Sequence, residues 1–275
     1  MSKPINKILF YGFVIAFVLS SLFPFYWIFI TSLKTSAEAS QITSGFWPSK
    51  LSFSAYNTVF TQDNFLQPLL NSAFVSLATT VLSLITSVLA AYSLARLGIK
   101  GKGLILGFIL VAGFFPIIAM VGPLFLVFRT LGLLDSFTSL IFTYLIYTLP
   151  ISTWLLTNFF SQIPKDLEEA AMVDGASRLQ ALWKIVIPIA VPGIFTAAIL
   201  SFILAWNDFT FALSFISSPS HFTAPLAIVN LGQSQFQVFY NRIDAAVVVT
   251  TLPIALLVLL AQKKIISGLT AGAVK

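Results

Sequence analysis

The chain has 275 residues, of which 58% are hydrophobic and only 9% are charged, and its mean hydropathy is +0.97. A water-soluble domain usually carries about 25% charged residues, so this composition excludes a soluble globular protein and indicates a chain embedded in a bilayer. The net charge of +6 comes from scattered basic residues rather than a basic patch, which argues against nucleic-acid binding. Since there is no cysteine and only one histidine, we expect no disulfide and no metal site.

Six apolar segments are each long enough, at roughly 20 residues, to cross about 30 Å of hydrocarbon as helices. The segments are continuously apolar, whereas the strands of a membrane barrel alternate between apolar and polar residues. We therefore predict an all-α, polytopic membrane protein. Because no loop is long enough for a soluble domain, residues 1–275 should form a single membrane domain. The predicted spans are 8–33, 70–95, 104–128, 137–160, 187–206 and 245–262.

The distribution of lysine and arginine predicts the orientation of the spans. If the N-terminus faces inward, 11 basic residues lie in inner segments and 4 in outer ones, as the positive-inside rule requires. Both termini should then face the cytoplasm, together with the loop 161–186 between the fourth and fifth spans. The four outer basic residues are Lys34, Lys50, Arg129 and Arg242.

The six predicted spans contain no aspartate, glutamate, lysine, arginine or histidine. Carriers driven by protons or ions typically hold ionisable groups at membrane depth, and a membrane enzyme would cluster such groups. The glycines and lysines of 98–103 stand in the wrong order for a phosphate-binding loop. The residues thus indicate neither a secondary carrier nor an enzyme, whereas a structural or assembly subunit stays open.

The loop between the fourth and fifth spans is unusually acidic, because four of the nine acidic residues lie within 166–174. Pro164 suits the first turn of a helix, and acids near a helix start favour the positive end of its dipole. We predict a short helix that ends at Gly175, followed by a second helix capped by Ser177. Pro188 should mark the bend into the fifth span.

This helix-turn-helix has two interpretations. Ala170 and Ala171 are small enough to permit close approach by another protein, so the loop is a candidate docking surface. An amphipathic loop that lies on lipid headgroups has the same composition, and the physical properties of the residues do not decide between them.

The spacing of this loop resembles the EAA motif of importer permeases of the ABC transporter superfamily. In that motif, Glu-Ala-Ala is followed after three residues by glycine, and after nine more by isoleucine, any residue and Leu-Pro. The chain has Glu169-Ala170-Ala171, then Gly175, then 185–188, with Ile187 where leucine is usual. Further segments resemble the maltose-permease-like carbohydrate subfamily, so that the resemblance covers nearly the whole chain: Leu70-Asn71-Ser72, Trp206-Asn207-Asp208-Phe209 and the tail 268–275.

The resemblance implies a type I ABC importer permease fold in a bacterial or archaeal plasma membrane. Such a permease pairs with a second homologous permease chain and two ATP-binding cassette subunits, and an extracytoplasmic sugar-binding protein delivers a small sugar. Membrane lipid surrounds it. The chain itself would be no enzyme and hold no cofactor, since ATP and Mg bind to the partner ATPase subunits. The alternative is a membrane carrier or assembly subunit that is not coupled to ATP hydrolysis.

The resemblance also implies two sets of site residues. Coupling to the ATPase falls to Glu169, Ala170, Ala171, Asp174 and Gly175. The tail, with Gly272 and Lys275, would insert between the ATPase subunits, although a frayed end is the alternative.

A substrate pathway is predicted near Trp206, Asn207 and Asp208, at the outer end of the fifth span. Amide and carboxylate groups there could bond sugar hydroxyls. Termination of the helix is an equally good explanation for the same residues.

Overall fold

The computed structural model describes residues 4–41, 45–231 and 238–271, and these segments are predominantly helical. A π-helical turn at Leu182–Val186 and a 3-10 turn at Pro219–His221 accompany the α-helices. The α-helices of the described segments are α1 (Pro4–Ser32), α2 (Ser36–Ala39), α3 (Ser54–Thr61), α4 (Leu66–Arg96), α5 (Lys102–Gly113), α6 (Ile117–Thr130), α7 (Phe137–Gln162), α8 (Asp166–Val173), α9 (Arg178–Ala181), α10 (Ile187–Trp206), α11 (Thr210–Phe215), α12 (Ala224–Asn230) and α13 (Tyr240–Ala271).

Five helical stretches of the described chain are long and apolar enough to cross a membrane. They agree in position with five of the predicted spans, which confirms the all-α, polytopic fold. Continuous helices satisfy their own backbone hydrogen bonds, as a segment surrounded by hydrocarbon must. The five stretches are Leu9–Ser32, Leu66–Arg96, Phe137–Gln162, Arg178–Trp206 and Tyr240–Gln262.

The third predicted span, 104–128, is not one straight helix. It consists of α5 and α6, which meet at a bend of 86° and give a sixth span if the bent pair is counted as one. Pro116 stands at the N-cap of α6. Because proline lacks an N–H and disfavours helical geometry in the residue before it, a single unbroken helix is not expected across this position.

The fifth span begins earlier than predicted. The helical stretch runs from Arg178 to Trp206 and includes the π turn, so the expected boundary at Pro188 lies inside it. Pro188 occupies the first turn of α10, directly after the π turn. The wider turn accommodates the proline ring, which in a regular helix would clash with the carbonyl four residues earlier.

The chain divides into two compact units, and the prediction of a single domain over 1–275 stays a prediction. The first unit comprises Met1–Leu66 and Ala227–Leu252, and the second comprises Gln67–Leu226 and Pro253–Lys275.

In the first unit, buried Lys34 fixes the chain that follows α1. Its ammonium group donates to the carbonyl of Gly45 at 2.6 Å and lies 4.7 Å from the centre of the Trp27 ring. The amide of Asn241 donates to the carbonyl of Lys34 at 3.2 Å. The buried ammonium group needs partners such as the Gly45 carbonyl and the Trp27 ring, because an isolated charge is costly to desolvate.

In the second unit, hydroxyl groups join α4, α7 and α10. Ser152 of α7 lies 2.9 Å from the hydroxyl of Ser201 in α10 and receives a longer hydrogen bond of 3.5 Å from Ser83 in α4. Thr153 donates to Ser87 of α4 at 3.2 Å. Small hydroxyl residues allow helices to approach closely in a membrane and give their polar groups partners there.

A glycine permits the closest part of the α7 and α10 contact. A Cβ atom placed on buried Gly193 would lie 2.5 Å from the base of the Phe159 ring, closer than such atoms can approach. The packing of α7 on α10 therefore requires glycine at this position.

We predict that Gly193→Ala destabilises the second unit by about 1 to 3 kcal/mol, since the added methyl group forces the Phe159 ring out of its place. The matched control is Gly107→Ala on α5, where an added Cβ meets nothing within 4 Å. Thermal unfolding of the purified chain in detergent should show a lower midpoint for Gly193→Ala alone. Equal midpoints for both variants would contradict this account of the packing.

Candidate functional site

The acidic loop forms the predicted helix-turn-helix. Three acids stand in the first turn of α8, and at its end Ala176 donates to the carbonyl of Ala171 at 2.9 Å. Gly175 has φ +90°, a backbone conformation that favours glycine. The sequence prediction that Gly175 provides the turn after this helix is confirmed.

Ser177 begins the second helix through a reciprocal cap. Its hydroxyl accepts from the N–H of Gln180, while the Gln180 side chain accepts from the N–H of Ser177 at 2.8 Å. This capping box satisfies backbone donors that the start of a helix would otherwise leave unpaired. It fixes the direction in which α9 leaves the turn and enters the fifth span.

The loop is attached to α4 by a buried ion pair that sequence reasoning did not identify. Arg96 Nε lies 2.5 Å from Glu168 Oε1, and the two side chains are 5% and 6% exposed. The contact is an ion pair rather than an aligned hydrogen bond, since neither atom has a hydrogen-bond partner among the described residues. A buried charge needs such a partner, so this pair holds α8 against the last turn of α4.

Two further contacts converge on the same point. The hydroxyl of Tyr92, one turn before Arg96 on α4, donates to Glu168 Oε2 at 3.0 Å and lies 3.3 Å from the carbonyl of Arg178. The guanidinium group of Arg96 also donates to the carbonyl of Ile163 at 2.8 Å. The end of α4 thus contacts the chain before α8, α8 itself and the start of α9.

The adjacent acids Glu168 and Glu169 have different environments. Successive residues on a helix point about 100° apart, and Glu168 is buried against α4 while Glu169 is exposed at the edge of the same contact. The sequence placed both acids at a helix start but did not distinguish them. The available signal was Arg96, a cation at the end of a span that needs a partner.

The residues predicted to couple to the ATPase lie together on the surface of the loop. Glu169, Ala170, Asp174 and Gly175 are exposed, and Ala171 is partly buried. Large apolar side chains accompany them, among which Val173 is 87% exposed and Leu179 is 59% exposed. Exposed apolar residues beside acids are typical of a surface that contacts another molecule.

At the predicted pathway, Trp206 and Asn207 have opposite environments. Trp206 is 3% exposed, stacks on Phe202 and has no hydrogen-bond partner for its indole N–H among the described residues. Asn207 is exposed, and its amide donates to the carbonyl of Ile203 at 3.0 Å. The Asn207 contact closes the end of α10.

Asp208 has contacts that stabilise the fold. Its carboxylate accepts from the hydroxyl of Tyr144 at 2.8 Å and from the backbone N–H groups of Phe211 and Ala212, both at 3.2 Å. Burial raises the pKa of the Asp208 carboxyl, and the hydrogen bond from Tyr144 opposes that effect. The two backbone contacts cap the first turn of α11, a role that the sequence analysis did not predict. The alternative that the sequence left open, termination of the fifth span, fits the Asn207 contact with α10.

The predicted tail residues Gly272 and Lys275 lie outside the described residues, so their proposed role stays a prediction.

Comparison with known proteins gives consistent matches. A family model described as "binding-protein-dependent transport system inner membrane component" matches residues 83–265. The chain is 43% identical over 258 residues to the sulfoquinovosyl glycerol transport system permease protein SmoH of Agrobacterium fabrum, covering 94% of this chain and 90% of that protein. It is 44% identical over 256 residues to the trehalose transport system permease protein SugB of Mycobacterium tuberculosis, covering 93% of each.

A solved structure is similar along almost its whole length. It is a crystal structure of a bacterial ABC transporter involved in the import of the acidic polysaccharide alginate. The match has a TM-score of 0.81 and 29% sequence identity, and it covers 95% of this chain and 97% of that chain.

We predict that Asp208→Ala lowers the stability of the chain by about 1 to 3 kcal/mol, because it leaves the Tyr144 hydroxyl and two backbone donors without their acceptor. The neighbouring change Asn207→Ala should stay within about 0.5 kcal/mol of the original chain. Thermal unfolding in detergent measures both. If Asp208→Ala unfolded at the same temperature as Asn207→Ala, the capping role would be refuted.

Proposed function

Because the chain belongs to the family of binding-protein-dependent transport system inner membrane components, we propose that it is a permease subunit of an ATP-driven sugar importer. The membrane is the plasma membrane of a bacterium or archaeon. The relatives named for trehalose and for sulfoquinovosyl glycerol support a sugar or sugar derivative as substrate. A binding protein outside the membrane delivers this substrate.

The observation that carries the proposal is the exposed helix-turn-helix between α7 and the fifth span. The six spans predicted from the sequence contain no ionisable group that could drive transport, which favours energy input from a partner. The surface of Glu169, Ala170, Ala171, Asp174 and Gly175 contacts an ATP-binding cassette subunit. ATP and Mg bind to that subunit, where hydrolysis takes place.

A second homologous permease chain completes the translocation pathway. Trp206 and Asn207 lie on this pathway, where an unpaired indole N–H is suited to donate to a sugar hydroxyl. Asp208 positions this region through its cap on α11. The tail residues Gly272 and Lys275 insert between the two ATPase subunits.

The orientation of the chain can be tested by single-cysteine labelling, because the chain contains no cysteine. We predict that Ser218→Cys reacts in intact cells with a thiol reagent that does not cross membranes, whereas Arg178→Cys reacts only after the membrane is opened. Basic residues are retained on the cytoplasmic side, which places Arg178 inside. Labelling of Arg178→Cys in intact cells would contradict the predicted topology.

The coupling role can be tested in a complex expressed with the second permease, the ATPase and the binding protein encoded beside this chain. We predict that Glu169→Ala lowers ATPase attachment and sugar-stimulated hydrolysis, because loss of a charged hydrogen bond at an interface costs about 1.5 to 3 kcal/mol. Copurification and hydrolysis in vesicles measure the two effects. If ATPase copurification and sugar-stimulated hydrolysis in the Glu169→Ala complex equalled those of the unmodified complex, this docking surface would lose its support.

Gly175 allows a matched comparison. Gly175→Ala and Gly101→Ala each introduce a side chain at positive φ, +90° and +77°, and in both an added Cβ meets nothing within 4 Å. Each change should therefore strain the backbone by about 1 to 2 kcal/mol. We predict that only Gly175→Ala weakens ATPase attachment, as measured by copurification. Equal weakening in both variants would indicate a general loss of stability.

A further inference from the structure

A loop with several exposed aromatic residues follows α1 and α2 in the first unit. It comprises residues 45–53, which we call the aromatic loop. Single apolar side chains on a protein surface are ordinary, whereas a group of them marks a surface that contacts another molecule or a membrane. The large apolar side chains of the loop, each between 64% and 72% exposed, are Phe46, Trp47, Leu51 and Phe53.

The first part of the aromatic loop lies against the last turns of α1. The Tyr26 hydroxyl donates to the carbonyl of Phe46 at 2.7 Å. Two ring contacts accompany this bond, Trp47 on Tyr26 and Phe46 on Trp27, with ring centres 6.0 Å apart in each pair. The chain therefore runs back along α1 to the level of Tyr26, well before the end of that helix at Ser32.

The rest of the aromatic loop is fixed by its backbone. The N–H of Ser49 donates to the Glu38 carboxylate at 2.9 Å, and the N–H of Ser52 donates to the carbonyl of Leu33 at 2.9 Å. Buried Lys34 binds the first residue of the loop at 2.6 Å. Because the backbone is held at both ends and in the middle, the exposed side chains keep a fixed position relative to α1.

The length of α1 places this contact in the bilayer. The apolar part of the helix is Leu9–Ser32, and about 20 helical residues cross the hydrocarbon. Counted from the start of this part, the far boundary of the hydrocarbon lies near Ile28, close to Tyr26. Since Phe46 and Trp47 contact α1 at that level, they lie at the boundary between acyl chains and headgroups.

The chemistry of the aromatic loop matches this boundary. Tryptophan and tyrosine concentrate there in membrane proteins, because their rings are apolar and carry one polar group. Phe29, one turn after Tyr26, is exposed, so the apolar surface of the loop continues that of the span. Lys50 is exposed in the same loop, and its aliphatic stem lets the ammonium group reach lipid phosphates while apolar neighbours stay in the membrane.

We propose that the aromatic loop is a lipid-binding segment that inserts Phe46 and Trp47 between the acyl chains and the headgroups, with Lys50 at the level of the phosphates. In the predicted topology this is the outer leaflet. The proposal goes beyond the proposed function, since it assigns a partner to a surface that takes no part in ATPase coupling.

The depth of the aromatic loop can be measured with a nitroxide label, because the chain contains no cysteine. Phe46→Cys and Trp47→Cys are labelled separately, and the protein, with the subunits that copurify with it, is reconstituted in vesicles that contain phosphatidylglycerol. Oxygen concentrates in hydrocarbon and a nickel chelate stays in water, so the ratio of their collision rates with the label measures its depth. The matched control is Asn57→Cys, at an exposed position of α3.

We expect the oxygen-to-nickel ratio to be severalfold higher at positions 46 and 47 than at position 57. A ratio at either loop position equal to that at 57 would place the loop in water, where a sugar or an external protein could reach it, and would overturn the proposal. Low collision rates with both reagents would show that a protein subunit covers the loop, and would overturn it as well.

The role of Lys50 is tested through the charge of the lipid. Lys50→Glu, combined with the label at position 46, should lower the ratio severalfold in phosphatidylglycerol vesicles and much less in vesicles of phosphatidylcholine alone, because the anionic lipid attracts a nearby lysine and repels a glutamate. The matched control is Lys100→Glu, in an exposed turn elsewhere, which should leave the ratio unchanged in both lipids. An unchanged ratio for Lys50→Glu in phosphatidylglycerol would overturn the assignment of Lys50 to the phosphates.

Discussion

The absence of water from the hydrocarbon region determines where this chain can hold its charges. The predicted spans carry none, so strong electrostatic contacts are restricted to the regions where helices end and loops begin. The buried pair of Arg96 and Glu168 is the clearest result, because it joins the last turn of α4 to the short helix α8. The position of the acidic loop 161–186 depends on this contact, and so does the surface that the loop presents.

Two adjacent glutamates therefore have separate tasks. Glu168 is buried and forms contacts with Arg96 and Tyr92 of the same chain, so its carboxylate is not available to a partner. Glu169 is exposed beside small and apolar residues, where a docking protein can reach it. Glu168 positions the loop, and Glu169 lies on its exposed surface, where the proposed ATPase would dock.

Inside the second unit, the helices are held together by modest contacts of a kind suited to lipid. Hydroxyl groups of Ser152 and Ser201 meet across α7 and α10, and Gly193 lets the Phe159 ring approach the backbone. None of these contacts needs a charge, and each depends on small side chains. The bend between α5 and α6 likewise involves no ionisable group, because Pro116 interrupts the helix and α6 begins after it.

The sequence by itself determined the elements whose causes are local. Continuous apolar runs predicted the spans, Gly175 predicted a turn that only glycine adopts easily, and Ser177 predicted a cap. The EAA spacing predicted the family to which the chain belongs. Contacts between distant segments were a matter for the tertiary structure alone: the choice of Glu168 over Glu169 for burial depends on where Arg96, 72 positions earlier, comes to lie. The same holds for the hydrogen bond from the Tyr144 hydroxyl to Asp208, because only the fold brings α7 beside this residue. Periodicity and spacing predict the local backbone structure around a residue. A buried polar contact between distant segments depends on two residues that only the folded chain brings together.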